Sequence, residues 1–321
     1  MKEQSVVGRL APTPSGRMHL GNVFASLMAW LAAKSQGGQI LLRIENLDTQ
    51  RASLAHAQIL MEDLLWLGLV WDDGPTPNSL ARYGPDSFFQ STRTGFYEQQ
   101  LEKLRAKGLV YPCFCSRAQL HTATAPHQND GTYVYDGRCR RLPADERAAL
   151  AQKKTCSLRV AVPERELTFS DALCGLYREN LARQTGDFIL RRSDGVFAYQ
   201  LAAAADDGDM GVTQVVRGRD LLSSTPRQIW LIEELGFAAP SYAHIPLLLA
   251  PDGRRLAKRD GDTDFSELRK NHKHPQPLIG ALAHRAGLIS KPEPLSAAEL
   301  LSIFCFENIT HNDVVIKGDI L

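Results

Sequence analysis

The stretch that most constrains this fold is residues 6–34, where a short β-branched run, a loop rich in proline and glycine and a long apolar repeat follow one another. Pro12, Pro14 and Gly16 interrupt the backbone between the two regular parts. From Leu20 onwards, apolar residues recur at intervals of three and four, as a buried helix requires. The order strand, loop, helix begins an open α/β sheet, and the unpaired N–H groups at the helix start can hold the phosphates of a nucleotide.

The rest of the chain continues this alternation of strands and helices. The periodicity predicts strands at 39–44, 69–71, 156–162 and 213–221, a strand running into a helix at 195–202, and helices at 53–68, 96–107 and 276–288. The fold class is therefore α/β, with a doubly wound parallel sheet of the Rossmann type. The last helix predicts a small helical piece at the C-terminal end.

Size and composition exclude several classes of protein. The chain has 321 residues, of which 44% are hydrophobic and 23% charged, as expected for a soluble globular enzyme. Its 37 Lys and Arg nearly equal its 36 Asp and Glu, so the total charge gives no support to nucleic-acid binding and does not exclude it. We expect no membrane partner, because no apolar run is long enough to cross a bilayer, and we expect a cytoplasmic location. Six cysteines are too few for a disulfide framework in a chain of this length.

The loop at residues 9–22, RLAPTPSGRMHLGN, is neither a P-loop nor a dinucleotide-binding turn. Its end, from His19 to Asn22, resembles the HIGH signature of class I aminoacyl-tRNA synthetases, in the form typical of the glutamyl branch. The resemblance implies that His19 is catalytic and that His19, Gly21 and Asn22 contact ATP, which is bound with Mg²⁺. The alternative is an ordinary strand–helix unit with a histidine near the helix cap.

A second stretch, RLAKRDG at 255–261, is a basic loop that on its own is most often merely solvated. It resembles the KMSKS signature in its glutamyl variant. The resemblance implies that Lys258 is catalytic and binds ATP, and that Arg259 also binds ATP. Ala257 stands where the family has serine, so we expect a weaker contact with ATP.

Glu45 directly follows the second predicted strand, and ligands of α/β sheets bind beyond the carboxyl ends of the strands. It is therefore placed to meet an ammonium group, although a solvated or helix-capping acid is the alternative. Glutamate has two carboxylates and one ammonium, which call for two cations and one anion, and Arg9, Arg217 and Glu45 supply them. The glutamate-binding residues that the glutamyl resemblance implies are Arg9, Ala11, Thr13, Glu45, Tyr199 and Arg217.

Cys113, Cys115 and Cys139 are spaced as in a tetrahedral Zn²⁺ site that lacks one ligand. The candidates for the fourth ligand are Tyr133, Tyr135, Asp136, His121 and His127, among which the chemistry of zinc favours the histidines. Resemblance to zinc-bearing glutamyl enzymes, which have Y-x-x-x-C here, favours Tyr135 instead. The ion would be structural. Free thiols beside a loop aromatic are the alternative.

Only a short stretch follows Lys258, whereas glutamyl-tRNA synthetases carry a large anticodon-binding region there. The chain in this respect resembles their short paralogues, which activate L-glutamate with ATP without tRNA and transfer it to queuosine at the wobble position of tRNA-Asp. This resemblance implies ATP, L-glutamate and queuosine-containing tRNA-Asp as partners, and we expect a monomer. Two alternatives are a truncated or discriminating glutamyl-tRNA synthetase that charges the tRNA 3′ end, and a synthetase-like binding module without catalysis.

The resemblance also implies a division of the chain into four parts. The predicted parts are the first half of the catalytic domain at 1–108, an inserted acceptor-binding-like α+β subdomain with the zinc site at 109–190, the second half of the catalytic domain at 191–240, and the KMSKS-like loop with a helical stem-contact-like region at 241–321.

Overall fold

The computed structural model describes residues 5–116, 119, 134–254, 256, 265–316 and 320. The strands are β1 (Val7–Leu10), β2 (Gln39–Leu42), β3 (Val110–Cys113), β4 (Ser157–Val160), β5 (Glu166–Asp171), β6 (Gly175–Asn180), β7 (Phe188–Arg191), β8 (Gln214–Gly218), β9 (Ser241–Ile245), β10 (Leu248–Leu249) and β11 (Val314–Val315). The α-helices are α1 (Leu20–Lys34), α2 (Leu54–Trp66), α3 (Pro77–Tyr83), α4 (Thr94–Ala106), α5 (Ala144–Lys153), α6 (Tyr199–Asp209), α7 (Thr225–Glu234), α8 (Phe265–Asn271), α9 (Gln276–Ala286) and α10 (Ala297–Leu300). None of these helices is both long enough and apolar enough to cross a membrane.

The parallel strands form the centre of the fold. β1 and β2 run parallel, and so do β8 and β9. β1 lies beside β8, because the Thr213 amide donates to the Val7 carbonyl over 2.9 Å and the Val7 amide donates to Thr213 Oγ1 over 2.8 Å. The carboxyl ends of β1, β2 and β8 therefore lie at one edge, where open α/β sheets bind their ligands. The predicted α/β class with Rossmann-type parallel strands is confirmed.

Helix α1 fixes the position of the first loop. Val23, Phe24, Met28 and Leu31 are at most 1% exposed, because α1 is covered by the sheet on one side and by C-terminal helices on the other. The predicted apolar repeat is thus the inner surface of the largest core cluster. A helix enclosed in this way holds its first turn rigidly against the ends of β1 and β8.

Two predicted strands are not formed. Residues 69–71 make no ladder, and the nearest pairing is a single bridge between Asp73, just beyond them, and Leu41. Within 195–202, predicted as a strand running into a helix, only Phe197 forms a bridge, whereas the predicted helix is confirmed as α6 from Tyr199 onwards.

The segment predicted as an insertion forms two kinds of sheet. β3, β4 and β7 make an antiparallel sheet of their own. The hairpin of β5 and β6 instead reaches the sheet of β8 and β9, where Asp171 pairs with Tyr242. This hairpin therefore ends close to the strand that carries Arg217. The division of the chain at residues 109 and 190 stays a prediction.

The C-terminal part contains the predicted helix, which runs as α9 and ends at Gly287 in the left-handed conformation, with φ +90°. Beyond it, β11 pairs in parallel with β10. No pattern in the sequence indicated this last strand, which is only two residues long.

Candidate active site

A cavity of about 560 Å³ lies where the carboxyl ends of β1, β2 and β8 meet the start of α1. Every described residue that the sequence predicted for ATP or glutamate lines it. These residues are Arg9, Ala11, Thr13, His19, Gly21, Asn22, Glu45, Tyr199 and Arg217. The other two, Lys258 and Arg259, lie outside the described residues.

His19 is the N-cap of α1, with an extended backbone at φ −97° and ψ 166°. It stands just before the helix, while Asn22 lies in the first turn. His19 Nδ1 accepts a hydrogen bond from the Gly21 amide over 3.1 Å, so the proton of the neutral ring is on Nε2. A Cβ at Gly21 would lie 3.0 Å from His19 Cε1, so a larger residue there would press on the imidazole. The helix start thus presents an N–H donor on His19 together with the positive end of the helix dipole.

Arg9 enters the cavity from the end of β1 and is only 7% exposed. Its Nη1 donates to the Val216 carbonyl over 3.3 Å, and its Nε lies 3.7 Å from Asp207 Oδ1. Burial lowers the pKa of Arg9, and Asp207 opposes this change. Asp207 is on helix α6, so an ion pair between distant parts of the chain holds the Arg9 guanidinium.

Glu45 is held by a neighbour that the sequence reasoning did not select. Arg43 is fully buried and donates through Nη2 to Glu45 Oε1 over 3.0 Å and through Nη1 to Asp207 Oδ1 over 2.6 Å. Burial raises the pKa of the Glu45 carboxyl, while Arg43 opposes the rise. Positive and negative groups therefore alternate from Glu45 through Arg43 and Asp207 to Arg9. The signal in the sequence was an arginine inside the apolar run predicted as a strand at 39–44, one residue beyond the end of β2.

Arg217, at the end of β8, is 5% exposed and held by three side chains. Its Nη1 donates to Gln228 Oε1 over 2.7 Å, its Nη2 to Thr225 Oγ1 over 2.7 Å, and its Nε to His244 Nε2 over 3.1 Å. Tyr199 is the first residue of α6 and is half-buried beside the same cavity; burial raises its pKa. The guanidinium is thus fixed from the side away from the cavity.

The three predicted cysteine ligands lie together at the end of β3. The sulfurs of Cys113, Cys115 and Cys139 are all within 4.8 Å of one another. Tyr135 Oη lies 3.5 Å from Cys113 Sγ and 3.6 Å from Cys115 Sγ, and the Cys139 amide donates to it over 3.0 Å. Among the described residues, Asp136 is not part of the cluster and instead pairs with a neighbouring arginine.

The remaining candidates for the fourth ligand, Tyr133, His121 and His127, lie outside the described residues. Gly186 is a further residue of this cluster that the sequence did not indicate. A Cβ there would lie 2.8 Å from the Tyr135 carbonyl oxygen, so only glycine lets the two backbones come this close.

Comparisons with known proteins agree with this geometry. A family model described as the catalytic domain of class I tRNA synthetases (E and Q) matches residues 5–316. The relative from Symbiobacterium thermophilum, named glutamyl-Q tRNA(Asp) synthetase, is 46% identical, over 97% of this chain and 96% of its own. That from Nitratidesulfovibrio vulgaris, with the same name, is 43% identical, over 98% and 96%. A crystal structure of a glutamate tRNA ligase from Elizabethkingia meningosepticum in complex with its amino acid superposes with a TM-score of 0.80 at 29% identity, over 98% of this chain and 68% of that one.

The parallel strands, the histidine-capped helix and the family match define a ligase of the class I tRNA synthetase type. Since relatives above 40% identity span nearly its whole length, the chain belongs to the glutamyl-Q tRNA(Asp) synthetase family.

Proposed function

We propose that this protein activates L-glutamate with ATP, without tRNA, and then transfers the glutamate to queuosine at the wobble position of tRNA-Asp. The observation that carries the proposal is one cavity that holds both the capped start of α1 and the buried groups Arg9, Arg217 and Glu45. The substrates place the activity in the cytoplasm.

The amino-acid end of the cavity suits glutamate. Arg9 and Arg217 offer guanidinium groups to two carboxylates, and Glu45 offers a carboxylate to an ammonium group. Since Arg43 occupies Glu45 Oε1, the ammonium would meet the other oxygen of Glu45. Glutamine has a neutral side chain, and it would leave one buried guanidinium without its anion.

In the activation step, a carboxylate oxygen of glutamate bonds to the α-phosphorus of ATP, and the bond to the bridging oxygen breaks to release pyrophosphate. The protein contributes mostly position and positive charge, because such transfers need little covalent help. His19, with its proton on Nε2, and the first turn of α1 supply donors to the phosphates, and Mg²⁺ would accompany ATP. From the sequence alone, we propose that Lys258 and Arg259 also supply positive charge to the phosphates of ATP.

For the second step, support comes from the relatives. Those named glutamyl-Q tRNA(Asp) synthetase match this chain at 46% and 43% identity over 96% of their own length, whereas a relative named glutamate–tRNA ligase 2 is 41% identical over only 59% of its own. The site is compatible with both activities, because either enzyme would begin by activating glutamate. The acceptor therefore has to be tested directly.

The test is exchange of labelled pyrophosphate into ATP in the presence of L-glutamate, with and without tRNA. We expect exchange without tRNA, and none when glutamine replaces glutamate. Labelled glutamate is then offered to tRNA-Asp with queuosine or with guanosine at the wobble position, and we expect transfer only to the first. Robust charging of the 3′ end of tRNA-Glu, without transfer to queuosine, would identify a glutamyl-tRNA synthetase instead. If pyrophosphate exchange is absent both with and without tRNA, the remaining candidate is a synthetase-like binding module without catalysis.

We also propose that Cys113, Cys115, Tyr135 and Cys139 hold one structural Zn²⁺. Tetrahedral bonds of about 2.3 Å to sulfur and about 2.0 Å to oxygen separate two sulfurs by about 3.8 Å, and sulfur from oxygen by about 3.5 Å. The distance of 3.5 Å between Cys115 Sγ and Cys139 Sγ is close to these values, and so are those of 3.5 and 3.6 Å from Tyr135 Oη to Cys113 Sγ and Cys115 Sγ. The ion would link β3 to the segment that carries Cys139. Metal analysis of protein purified without chelators should give one zinc per chain, and the Cys139→Ser variant should give none.

A further inference from the structure

A buried chain of three polar side chains runs from the β5 hairpin to the cavity. Asp171 Oδ2 lies 2.5 Å from His244 Nδ1, and His244 Nε2 lies 3.1 Å from Arg217 Nε. Asp171, His244 and Arg217 are 5%, 0% and 5% exposed. None of the sequence motifs includes the first two residues. Groups buried so deeply remain in a fold only when their hydrogen bonds are satisfied.

The position of the proton on His244 follows from its neighbours, which are Asp171 at Nδ1 and, at Nε2, Arg217 together with the Thr225 hydroxyl at 3.0 Å. An arginine only donates, so Nε2 must carry the lone pair that accepts from Arg217 Nε. The proton of the neutral ring is then on Nδ1, from which it is donated to the Asp171 carboxylate. Burial lowers the pKa of His244, which keeps the ring neutral.

Asp171 is itself fixed in one orientation. Its Oδ1 accepts from the backbone amides of Leu173 at 3.0 Å, Cys174 at 2.8 Å and His244 at 3.1 Å. Only Oδ2 is therefore directed at the imidazole, and it selects the tautomer.

We propose that Asp171 and His244 are positioning residues for glutamate binding, because they fix the Nε edge of Arg217 and so direct its remaining N–H groups into the cavity. The inference rests on the proposed function, in which Arg217 binds a carboxylate of glutamate. Of the five N–H groups of Arg217, His244, Gln228 and Thr225 each take one, and the Leu221 carbonyl accepts the second hydrogen of Nη2 over 3.5 Å. A second hydrogen on Nη1 is left for the substrate.

The sharpest test compares two substitutions of His244, each of which keeps one of its hydrogen bonds, either the one to Arg217 or the one to Asp171. In His244→Gln, the amide oxygen reaches the place of Nε2 and accepts from Arg217 Nε. In His244→Asn, the amide reaches the place of Nδ1 and keeps the bond to Asp171 but not the one to Arg217. In the Asn variant, Arg217 Nε–H is left as a buried donor without an acceptor, so we expect the KM for glutamate to rise on the order of tenfold to a hundredfold. In the Gln variant, the rise in KM should be much smaller. The KM for ATP should stay unchanged in both.

A second variant, Asp171→Asn, changes the tautomer of His244 while keeping the shape of the side chain at residue 171. In Asp171→Asn, the three backbone amides keep their bonds to the side-chain oxygen of the asparagine, so its NH₂ group faces His244 Nδ1. Nδ1 must then accept, and the ring proton of His244 moves to Nε2, where it opposes Arg217 Nε–H. We expect a raised KM for glutamate, and its recovery when His244→Gln is added to Asp171→Asn. A role limited to folding would make the double variant worse than either single one.

The outcomes separate this inference from the proposed function. Normal exchange by the wild-type protein, with equal KM values for glutamate in the Gln and Asn variants, would overturn the positioning role alone. No glutamate-dependent exchange by the wild-type protein would overturn the proposed function, and the inference with it. If the variants do not fold, ¹⁵N NMR of the wild-type protein decides, because protonated Nδ1 on His244 is required and protonated Nε2 contradicts the proposal.

Discussion

The cavity and the cysteine cluster both gather polar groups from separate segments, but they differ in what compensates those groups. In the cavity, each buried charge has a partner of opposite charge or a hydrogen-bond acceptor within the chain, as with Arg43 between Glu45 and Asp207. In the cluster, the phenol of Tyr135 and the thiols have mainly one another. The charges of the cavity are therefore largely balanced within the chain, whereas the cluster gathers ligand atoms that could hold a metal ion. Internal ion pairs account for the clustering in the cavity, and the proposed Zn²⁺ would account for the clustering around Cys139.

The largest effect should come from breaking the ion pairs of the cavity. Arg43→Met leaves the Glu45 and Asp207 carboxylates buried without their shared cation, so we expect the free energy of unfolding to fall by about 3–5 kcal/mol, measured by urea denaturation. The matched control is Arg183→Met, because Arg183 pairs with Glu164 while the two side chains are 74% and 65% exposed. That change should cost less than about 1 kcal/mol. Equal losses in the two variants would contradict a charge-held cavity.

The next largest effect is a loss of catalysis, with stability retained, when His19 is replaced. His19→Asn keeps a side chain that caps α1 but removes Nε2, so we expect stability to be retained. Glutamate-dependent pyrophosphate exchange should fall on the order of a hundredfold, because a donor to developing negative charge is lost. His19→Ala serves as the control that removes both cap and donor, and it should in addition lower the melting temperature. Full exchange by the Asn variant would exclude a catalytic role for His19.

A smaller effect tests the contact between two backbones in the cluster. Gly186 has φ 69° and ψ 179°, and Gly84 has φ 74° and ψ −165°, a region nearly restricted to glycine. Alanine at either position should cost about 1–3 kcal/mol in unfolding free energy. Only at Gly186 would the added Cβ meet Tyr135, since nothing lies within 4 Å at Gly84. Zinc content should therefore drop in Gly186→Ala and not in Gly84→Ala; equal zinc in both would remove Tyr135 from the ligand set.

The smallest effect is the pH dependence of metal affinity. Burial raises the pKa of the Cys115 thiol to about 12, and it also raises the pKa of Tyr135. Both groups are thus protonated at neutral pH and must release protons when a metal binds. Zinc affinity, measured by competition with a chelator between pH 6 and pH 8, should rise by at least roughly tenfold per pH unit. An affinity independent of pH would mean that these two groups are not ligands.

Much of the site could be predicted because its signals are local. The loop at 9–22 lies within one strand–loop–helix unit, and Cys113, Cys115 and Cys139 lie within one short segment, so their spacing alone brought them into consideration. The strand predicted at 69–71 and the strand part of the prediction at 195–202 were wrong, because a short apolar run forms a ladder only where a neighbouring strand is available. The helix predicted within 195–202 is confirmed from Tyr199 onwards. The roles of Lys258 and Arg259 stay predictions.

The sequence by itself determined the class of fold, the loop that begins the helix and the types of residue at the strand ends. Periodicity and short motifs are set by neighbours in the chain, so they can be recognised without coordinates. Only the tertiary structure decided that β1 lies beside β8, that Asp207 joins Arg9 to Arg43, and that His244 presents a lone pair to Arg217. These partners are far apart in the sequence, and their pairing depends on the order of strands in the sheet and on burial, which decides which charges must find each other.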